Sequence, residues 1–316
     1  MSNNLPSTPS AIVFAYHNVG VRCLKVLLAH GVDVRMVITH TDNPQETIWF
    51  DSVAATAAAY GIPVITPNDP NRDDVVAQLA VLQTDFLFSF YYRLMLKAPL
   101  LALPTHGAYN MHGSLLPKFR GRAPVNWAVL HGASETGATL HAMALKPDAG
   151  DIFAQSSVPI LPDDDAKTVF DKVTDAAERA LTSALPGLLD GTARGTPQDL
   201  AQGSYFGGRT PEDGRIRWEY NTRAIHNLVR AVAPPYYPGA FFEVAGKCIR
   251  LWKTRVLEPA TAHSPGIRID QDRVLIDCCD GVLQVLRADV DGVPLEAANF
   301  VQHFGTPHIK FDLTSL

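Results

Sequence analysis

The chain has 316 residues, of which 47% are hydrophobic and 19% charged, which is enough apolar material for one or two folded domains and excludes a disordered or fibrous protein. The 27 Lys and Arg residues against 32 Asp and Glu residues give a net charge of -5, which argues against a dedicated nucleic-acid-binding protein. The four cysteines contain no C-x-x-C pair, so they predict neither a disulfide framework nor a zinc site.

The N-terminal residues 1–10 contain no Lys or Arg, and we expect them to form a flexible extension. The apolar run that follows, Ala11–Tyr16, is too short for a signal peptide or a bilayer span. A longer apolar stretch over 86–103 is interrupted by two cations and a proline. We therefore expect a soluble cytoplasmic protein with no segment inserted in a membrane.

Short apolar runs alternate with helical patterns in the first half of the chain, which is typical of a parallel α/β sheet. The runs predict strands over 11–16, 34–39, 64–65, 86–92, 108–112, 139–145 and 152–158. Helical spacing predicts helices from Val21 to Gly31, over 52–60, 73–82 and 166–189, and from Pro124 to Gly132.

A change of composition at 192–209, which is rich in Gly, Thr and Gln, predicts a linker. Beyond it, a helix over 225–232 precedes strands over 240–244, 248–256, 274–278 and 283–286, separated by Gly and Asp turns. This pattern predicts a small β-barrel or sandwich. We therefore expect a mostly parallel α/β domain at 11–200 and a smaller β-domain at 201–316.

Several common active-site motifs are missing from the sequence. The first strand is followed by the segment Tyr16–Gly20, which lacks the G-x-G-x-x-G glycines that let a backbone approach a dinucleotide. The chain also has no phosphate-binding P-loop, no H-E-x-x-H and no G-x-S-x-G motif. These absences argue against a dinucleotide oxidoreductase, a P-loop NTPase, a zinc protease and a serine hydrolase.

The segment from Tyr109 to Trp127 carries the strongest chemical signal. Asn110 and His112 lie two apart on a predicted strand, so both side chains face the same side, at the strand end where α/β sheets bind ligands. An amide that stabilises an oxyanion beside an imidazole that moves a proton suits acyl transfer. The alternative is that the two residues are hydrogen-bonded anchors of the following loop.

A carboxylate can support this histidine from a later turn. Asp148 precedes Ala149-Gly150 after the strand predicted at 139–145, where it can orient His112. An aspartate before Ala-Gly is also an ordinary turn residue, and the spacing does not distinguish Asp148 from Asp151.

Together these residues resemble the N10-formyltetrahydrofolate-dependent formyltransferases. The resemblance rests on Asn110-x-His112, Ser114-Leu115-Leu116-Pro117 with Arg120-Gly121, and Asp148-Ala149-Gly150-x-Ile152. Within that superfamily, the formyltransferase domains of the polymyxin-resistance enzymes that act on UDP-4-amino-4-deoxy-L-arabinose are the most similar. That likeness adds Phe14-Ala15-Tyr16-His17, Thr39 to Pro44, Phe88 to Arg93, Arg120 to Trp127, Arg209-Thr210-Pro211 and His226 to Val232.

The resemblance implies a Rossmann-like domain that binds the folate and a C-terminal OB-like β-barrel. It implies that Asn110 stabilises the transition state, His112 handles protons and Asp148 supports His112. It places the folate contacts at Leu94, Met95, Leu96, Arg122, Ala144, Leu145, Lys146, Pro147 and Asp148. It implies N10-formyltetrahydrofolate as the co-substrate, no metal, and either a monomer or a homodimer.

The implied substrate is a nucleotide-linked amino sugar, most simply UDP-4-amino-4-deoxy-L-arabinose in lipid A modification, with no nucleic-acid partner. No decarboxylase domain follows Leu316, so we expect a separate protein to catalyse the decarboxylation. The alternatives are a methionyl-tRNA formyltransferase, which the net charge disfavours, and an inactive folate-binding module.

A basic loop formed by Lys118, Arg120 and Arg122 adds local positive charge beside the predicted site. Such a cluster suits a diphosphate or the glutamate tail of a folate. The alternative is a solvated basic loop with no ligand.

Overall fold

The structure is a computed structural model that describes residues 8–235, 237–257 and 264–311. These residues form two compact units. The first comprises the chain up to Pro124 together with 135–158 and 171–206, and the second comprises 125–134, 159–170 and the chain from Gly207. Residues 1–7 of the predicted extension lie outside the described residues, and the domain boundary at residue 200 stays a prediction.

The first half of the chain alternates strands and helices as the apolar pattern predicts. The elements are β1 (Ser10–Ala15), α1 (His17–Ala29), β2 (Asp33–Ile38), α2 (Val53–Ala59), β3 (Val64–Ile65), α3 (Asp73–Ala80), β4 (Phe86–Phe90), α4 (Ala98–Leu101) and β5 (Ala108–His112). The chain continues with β6 (Arg120–Gly121), α5 (Pro124–Leu130), β7 (Glu135–Ala142), β8 (Ile152–Pro159), α6 (Ala166–Leu189) and β9 (Tyr205–Phe206).

The main sheet has the strand order β3-β2-β1-β4-β5-β7-β8. Strands β1 to β5 pair in parallel, whereas β7 pairs antiparallel with β5. One face of this sheet packs a cluster that includes Ile12, Phe14, Ile38, Leu79 and Leu87. The buried apolar runs of the central strands follow from this packing, because parallel strands are covered on both faces.

The helix ends follow ordinary capping chemistry. The Ser52 hydroxyl accepts a hydrogen bond from the Ala55 amide at 3.1 Å and begins α2. Gly31 and Gly61 have φ values of +74° and +68° just after α1 and α2, a backbone conformation that favours glycine. The predicted helix ends at these glycines are therefore confirmed.

The second unit consists mainly of an antiparallel sheet. Its elements after residue 207 are α7 (Thr222–Ala231), β10 (Ala240–Val244), β11 (Lys247–Leu257), β12 (Gly266–Asp270), β13 (Arg273–Asp277), β14 (Val282–Val290), β15 (Val293–Pro294), α8 (Phe300–Phe304) and β16 (His308–Lys310). Its core includes Trp218, Ile225, Phe242, Leu251 and Phe300. The strand path runs β10-β11-β14-β13-β12-β16, which confirms the predicted fold class with a half-barrel as the β-domain.

One strand begins and ends earlier in the chain than the sequence pattern predicts. The pattern predicts a strand over 139–145, but β7 spans Glu135–Ala142. The chain leaves the sheet after Ala142, where the Met143 amide donates to the Ala108 carbonyl at the beginning of β5. The side chain of Leu145 is 75% exposed, so the last part of the apolar run belongs to a loop.

The segment predicted as a linker, 192–209, contains a short strand. Within it, β9 pairs in parallel with β6, with Arg120 opposite Tyr205 and Gly121 opposite Phe206. The sequence analysis also missed β12 and β16, which pair with each other in the second unit. These strands are short or carry charged residues, so their alternation is weak. Among the helices of the described residues, none is both long and apolar enough to cross a bilayer.

Candidate active site

The candidate site is built on β5, which lies between β4 and β7. Asn110 pairs with Ser89 of β4 on one side and with His141 of β7 on the other. His112 lies two residues further along the same strand, so its side chain is on the same face as that of Asn110. The structure therefore brings together the amide and the imidazole predicted from the sequence, and adds a second histidine.

The position of His112 is set by a loop carbonyl. Its Nε2 lies 2.9 Å from the carbonyl oxygen of Phe119, and the residue is 6% exposed. Because a carbonyl oxygen only accepts hydrogen bonds, Nε2 carries a proton and donates. The other nitrogen, Nδ1, lies 3.6 Å from Oδ1 of Asp148, which is within ion-pair distance but longer than a hydrogen bond.

Asp148 reaches the site from the loop between β7 and β8. Because β7 is antiparallel to β5, its end at Ala142 lies beside the start of β5, and the loop must return to bring Asp148 to His112. In this loop, Asp148 has a φ of +52°, and its Oδ2 accepts a hydrogen bond from the Gly121 amide at 2.9 Å. Asp148, and not the exposed Asp151, is the aspartate that the structure places at ion-pair distance from His112.

The second histidine, His141, is absent from the sequence-based prediction. Its side chain is 2% exposed, its Nε2 lies 3.1 Å from the amide nitrogen of Asn110, and its Nδ1 lies 2.8 Å from the Ala142 carbonyl. Burial, followed by the nearby charge of His112, lowers the pKa of His141 to about 4, so this imidazole is neutral near pH 7. His141 could have been identified only from the pairing register of β5 and β7, which is not encoded in any local sequence pattern.

The geometry combines a hydrogen-bond donor, a proton-carrying imidazole and a carboxylate around one strand end. Such a set can stabilise negative charge on an oxygen and move a proton without an activated serine or cysteine. Sequence comparison supports this chemistry: the profile of the formyl transferase family matches residues 21–185, and that of the formyl transferase C-terminal domain matches residues 209–305.

The chain belongs to the formyl transferase family.

Several solved structures share this fold. An N-formyltransferase from Helicobacter canadensis, determined with folinic acid and dTDP-3-aminofucose, has 20% identity and a TM-score of 0.70 over 88% of this chain and 98% of its own. The sugar 3N-formyltransferase WlaRD, determined with dTDP and 5-N-formyl-THF, has 19% identity and a TM-score of 0.69 over the same shares. HypX from Aquifex aeolicus, with tetrahydrofolic acid, has 18% identity and a TM-score of 0.62 over 93% of this chain and 47% of its own.

The carbonyl of Phe119 that positions His112 is itself held by the surrounding loop of the formyltransferase. The hydroxyl of Ser114 donates to the Lys118 carbonyl at 2.6 Å, and the Phe119 amide donates to the Ser204 hydroxyl at 2.8 Å. The residues immediately after Phe119 and Ser204 form the paired strands β6 and β9. The segment that the composition predicted to be a linker therefore helps to hold in place the loop that carries the Phe119 carbonyl.

Gly113 is required next to His112 because of a tyrosine from the neighbouring strand. A Cβ atom at this position would lie 1.8 Å from the hydroxyl oxygen of Tyr91, which follows β4. No side chain fits in that space without moving the tyrosine. Gly113 therefore leaves room for the Tyr91 hydroxyl beside the end of β5.

The folate contacts implied by the resemblance differ in exposure. The side chains of Leu94 and Met95, which follow β4, are 39% and 56% exposed, and Leu145 is 75% exposed. Ala144, Lys146 and Arg122 are also exposed, and Pro147 is half-buried. Leu96 is 4% exposed and packs in the core of the first unit, so its side chain is not accessible to a ligand.

The basic loop is not uniformly solvated. Lys118 and Arg122 are exposed, whereas Arg120 is 8% exposed and its buried Nε has no hydrogen-bond partner among the residues that the structure describes. Within residues 8–235, 237–257 and 264–311, no group of three or more His, Cys, Asp or Glu side chains is arranged to hold a metal ion.

Proposed function

We propose that this formyltransferase transfers a formyl group from N10-formyltetrahydrofolate to the amine of a nucleotide-linked amino sugar, with UDP-4-amino-4-deoxy-L-arabinose as the candidate substrate. The observation that carries the proposal is the convergence of Asn110, His112 and Asp148 at the end of β5. Two solved structures of the same fold contain a formylated folate together with a dTDP-linked sugar or dTDP.

Exposed apolar side chains beside these polar groups fit a folate. Leu94 and Met95 follow β4, whose end lies next to the end of β5 in the parallel part of the sheet. Exposed apolar residues grouped with a few convergent polar groups are typical of a ligand site. In the proposal, the bound donor supplies a formyl carbon that is activated by its attachment to N10.

Each residue then has a defined task in the transfer. The bond between N10 and the formyl carbon breaks, a new amide bond to the sugar nitrogen forms, and one proton passes from the amine to N10. Asn110 donates a hydrogen bond to the formyl oxygen as it gains negative charge, an interaction worth about 3–4 kcal/mol in comparable sites. His112 carries the proton through Nδ1, because its Nε2 donates to the Phe119 carbonyl.

Asp148 supports the charge that His112 acquires. Its Oδ1 lies 3.6 Å from the exchanging nitrogen, and its other oxygen is held by the Gly121 amide. The carboxylate is therefore fixed in place to stabilise an imidazolium. A role of the product in lipid A modification, in the cytoplasm, follows from the family resemblance and is part of the proposal.

The experiment is a formyl-transfer assay with three acceptors side by side. Purified protein and N10-formyltetrahydrofolate are incubated with UDP-4-amino-4-deoxy-L-arabinose, a dTDP-linked amino sugar or methionyl-tRNA, and the formylated product is identified by mass spectrometry. We expect turnover with the UDP-linked sugar, and none without an acceptor. Formylation of methionyl-tRNA alone would replace the proposal with the tRNA alternative, and no turnover with any of the three acceptors would favour an inactive folate-binding module.

A further inference from the structure

His141 is a buried titratable side chain for which the mechanism above has no use. It lies opposite Asn110 in the antiparallel pairing of β5 and β7, and directly paired residues place their side chains next to each other on one face of a sheet. Its Nε2 is 3.1 Å from the amide nitrogen of Asn110. The contact joins a buried imidazole to the group that is proposed to stabilise the oxyanion.

The hydrogen bonds of His141 determine which of its nitrogens carries the proton. The Ala142 carbonyl is 2.8 Å from Nδ1 and only accepts, so Nδ1 must donate. In a neutral imidazole, Nε2 then has a lone pair and accepts. The partner at Nε2 must therefore be a donor, which orients the carboxamide of Asn110 with its NH2 group towards His141.

This orientation has a consequence for the reaction. One N–H of Asn110 is occupied by His141, and for the second N–H the residues that the structure describes offer no other hydrogen-bond partner. A carboxamide rotated by half a turn would present its oxygen where the second N–H now lies and would repel the developing negative charge. We propose that His141 is a positioning residue that selects the orientation of Asn110 in which an N–H faces the formyl oxygen; this proposal rests on the proposed function.

The other polar neighbour of His141 does not take over this task. Oδ1 of Asp148 is 3.7 Å from Nε2, and a carboxylate oxygen has no proton to give to a lone pair. The carboxylate instead accepts from the Gly121 amide. Asn110 is therefore the donor that His141 binds.

The first test compares two variants of His141 in steady-state kinetics. His141→Leu removes the acceptor, and we expect kcat to fall about 10- to 100-fold, less than the loss of about 10²–10³-fold when an oxyanion donor is removed outright, with the KM for the amino sugar nearly unchanged. His141→Gln keeps a side-chain oxygen that accepts, and we expect it to recover part of kcat. Equal kcat values for both variants and the wild-type enzyme would overturn the proposal.

A matched control separates positioning from the general cost of removing a buried histidine. His226 of α7 is also 2% exposed, with a hydrogen-bond partner at each ring nitrogen, but lies among residues of the second unit. We expect His226→Leu to lower the melting temperature at unchanged kcat of the folded enzyme. If His226→Leu and His141→Leu reduced kcat equally, the effect of His141 would be structural.

A double-mutant cycle tests whether His141 acts through Asn110. In an Asn110→Ala background, we expect His141→Leu to change kcat by less than about 3-fold, because the group that it positions is gone. Full multiplication of the two single losses would contradict the positioning role.

A measurement on the wild-type protein is independent of how the variants fold. Nitrogen-15 NMR at neutral pH should show His141 as the neutral tautomer with its proton on Nδ1. A proton on Nε2 would overturn the proposal. If the tautomer were as expected but the wild-type protein formylated no amino sugar, the proposed function would fail and the hydrogen-bond arrangement would stand.

Discussion

Two buried clusters of polar side chains, one in each unit, differ in how completely their hydrogen bonds are made. In the second unit, His226 bonds the Thr254 hydroxyl at 2.9 Å and the Pro162 carbonyl at 3.0 Å. On the same helix, Nε of Arg230 donates to Asn227 at 3.0 Å and one terminal nitrogen donates to the Asp164 carbonyl at 3.0 Å. This cluster joins α7 to its surroundings through groups that already have partners.

The cluster on β5 is different. Asn110 uses one N–H on His141, and Asp148 lies at 3.6 and 3.7 Å from two imidazoles without a hydrogen bond to either. Leaving buried polar groups incompletely bonded costs stability, so such groups are concentrated where a reaction uses them. The contrast separates a cluster that holds the fold from one whose groups the proposed reaction uses.

The largest effect is expected from substitutions in the cluster on β5. In the proposed mechanism, Asn110→Ala removes the donor to the formyl oxygen and should lower kcat about 10²–10³-fold. His112→Ala removes the proposed proton carrier and should lower kcat about 10²–10⁴-fold. Circular dichroism and thermal melting should show folded proteins. Wild-type kcat/KM in either variant would show that the residue has no catalytic role.

A smaller effect, on stability only, is expected from a substitution in the fully hydrogen-bonded cluster on α7. Arg230→Met leaves the Asn227 oxygen without its donor, and burial of an unpaired polar group should lower the free energy of unfolding by about 1–3 kcal/mol. Urea denaturation measures this loss, and kcat of the folded enzyme should not change. A large loss of kcat at full stability would place this cluster in the reaction and erase the contrast.

The smallest effect per pH unit is a pH dependence of stability, which involves one buried histidine in each cluster and also His40, which lies outside both clusters. Burial is the main cause that lowers the pKa of His141 and of His40 to about 4, and it also lowers the pKa of His226. The unfolded chain binds these protons near pH 6.5, so between about pH 6.5 and 4 it holds more protons than the folded chain, and stability falls as the pH falls. Each histidine contributes at most about 1.4 kcal/mol per pH unit.

Urea denaturation at a series of pH values checks this dependence. We expect the free energy of unfolding to decrease from pH 7 to pH 5, and the His226→Leu variant to show a shallower decrease than the wild-type protein. A stability that is flat over this range would mean that the histidines are protonated in the folded state as readily as in the unfolded chain.

Much of the scaffold could be predicted because its signals are local. The apolar runs of β1 and β4 and the glycines after α1 and α2 mark strands and helix ends through short-range sterics and burial. The alternation of side chains along a strand is equally local, so Asn110 and His112 were predicted to share a face. Their chemistry then followed from the residue types and from the motif around them.

The remaining features depend on contacts between segments distant in sequence. The register of β5 against β7 places His141 beside Asn110, the return of the loop after Ala142 selects Asp148 over Asp151, and the pairing of β6 with β9 helps to fix the Phe119 carbonyl against His112. A shift of one residue in the pairing of β5 and β7 would move His141 to the other face of the sheet. Residue types and local alternation thus specified the candidate reacting groups, whereas their orientation arose only when the strands paired, because register is a property of two segments and not of one.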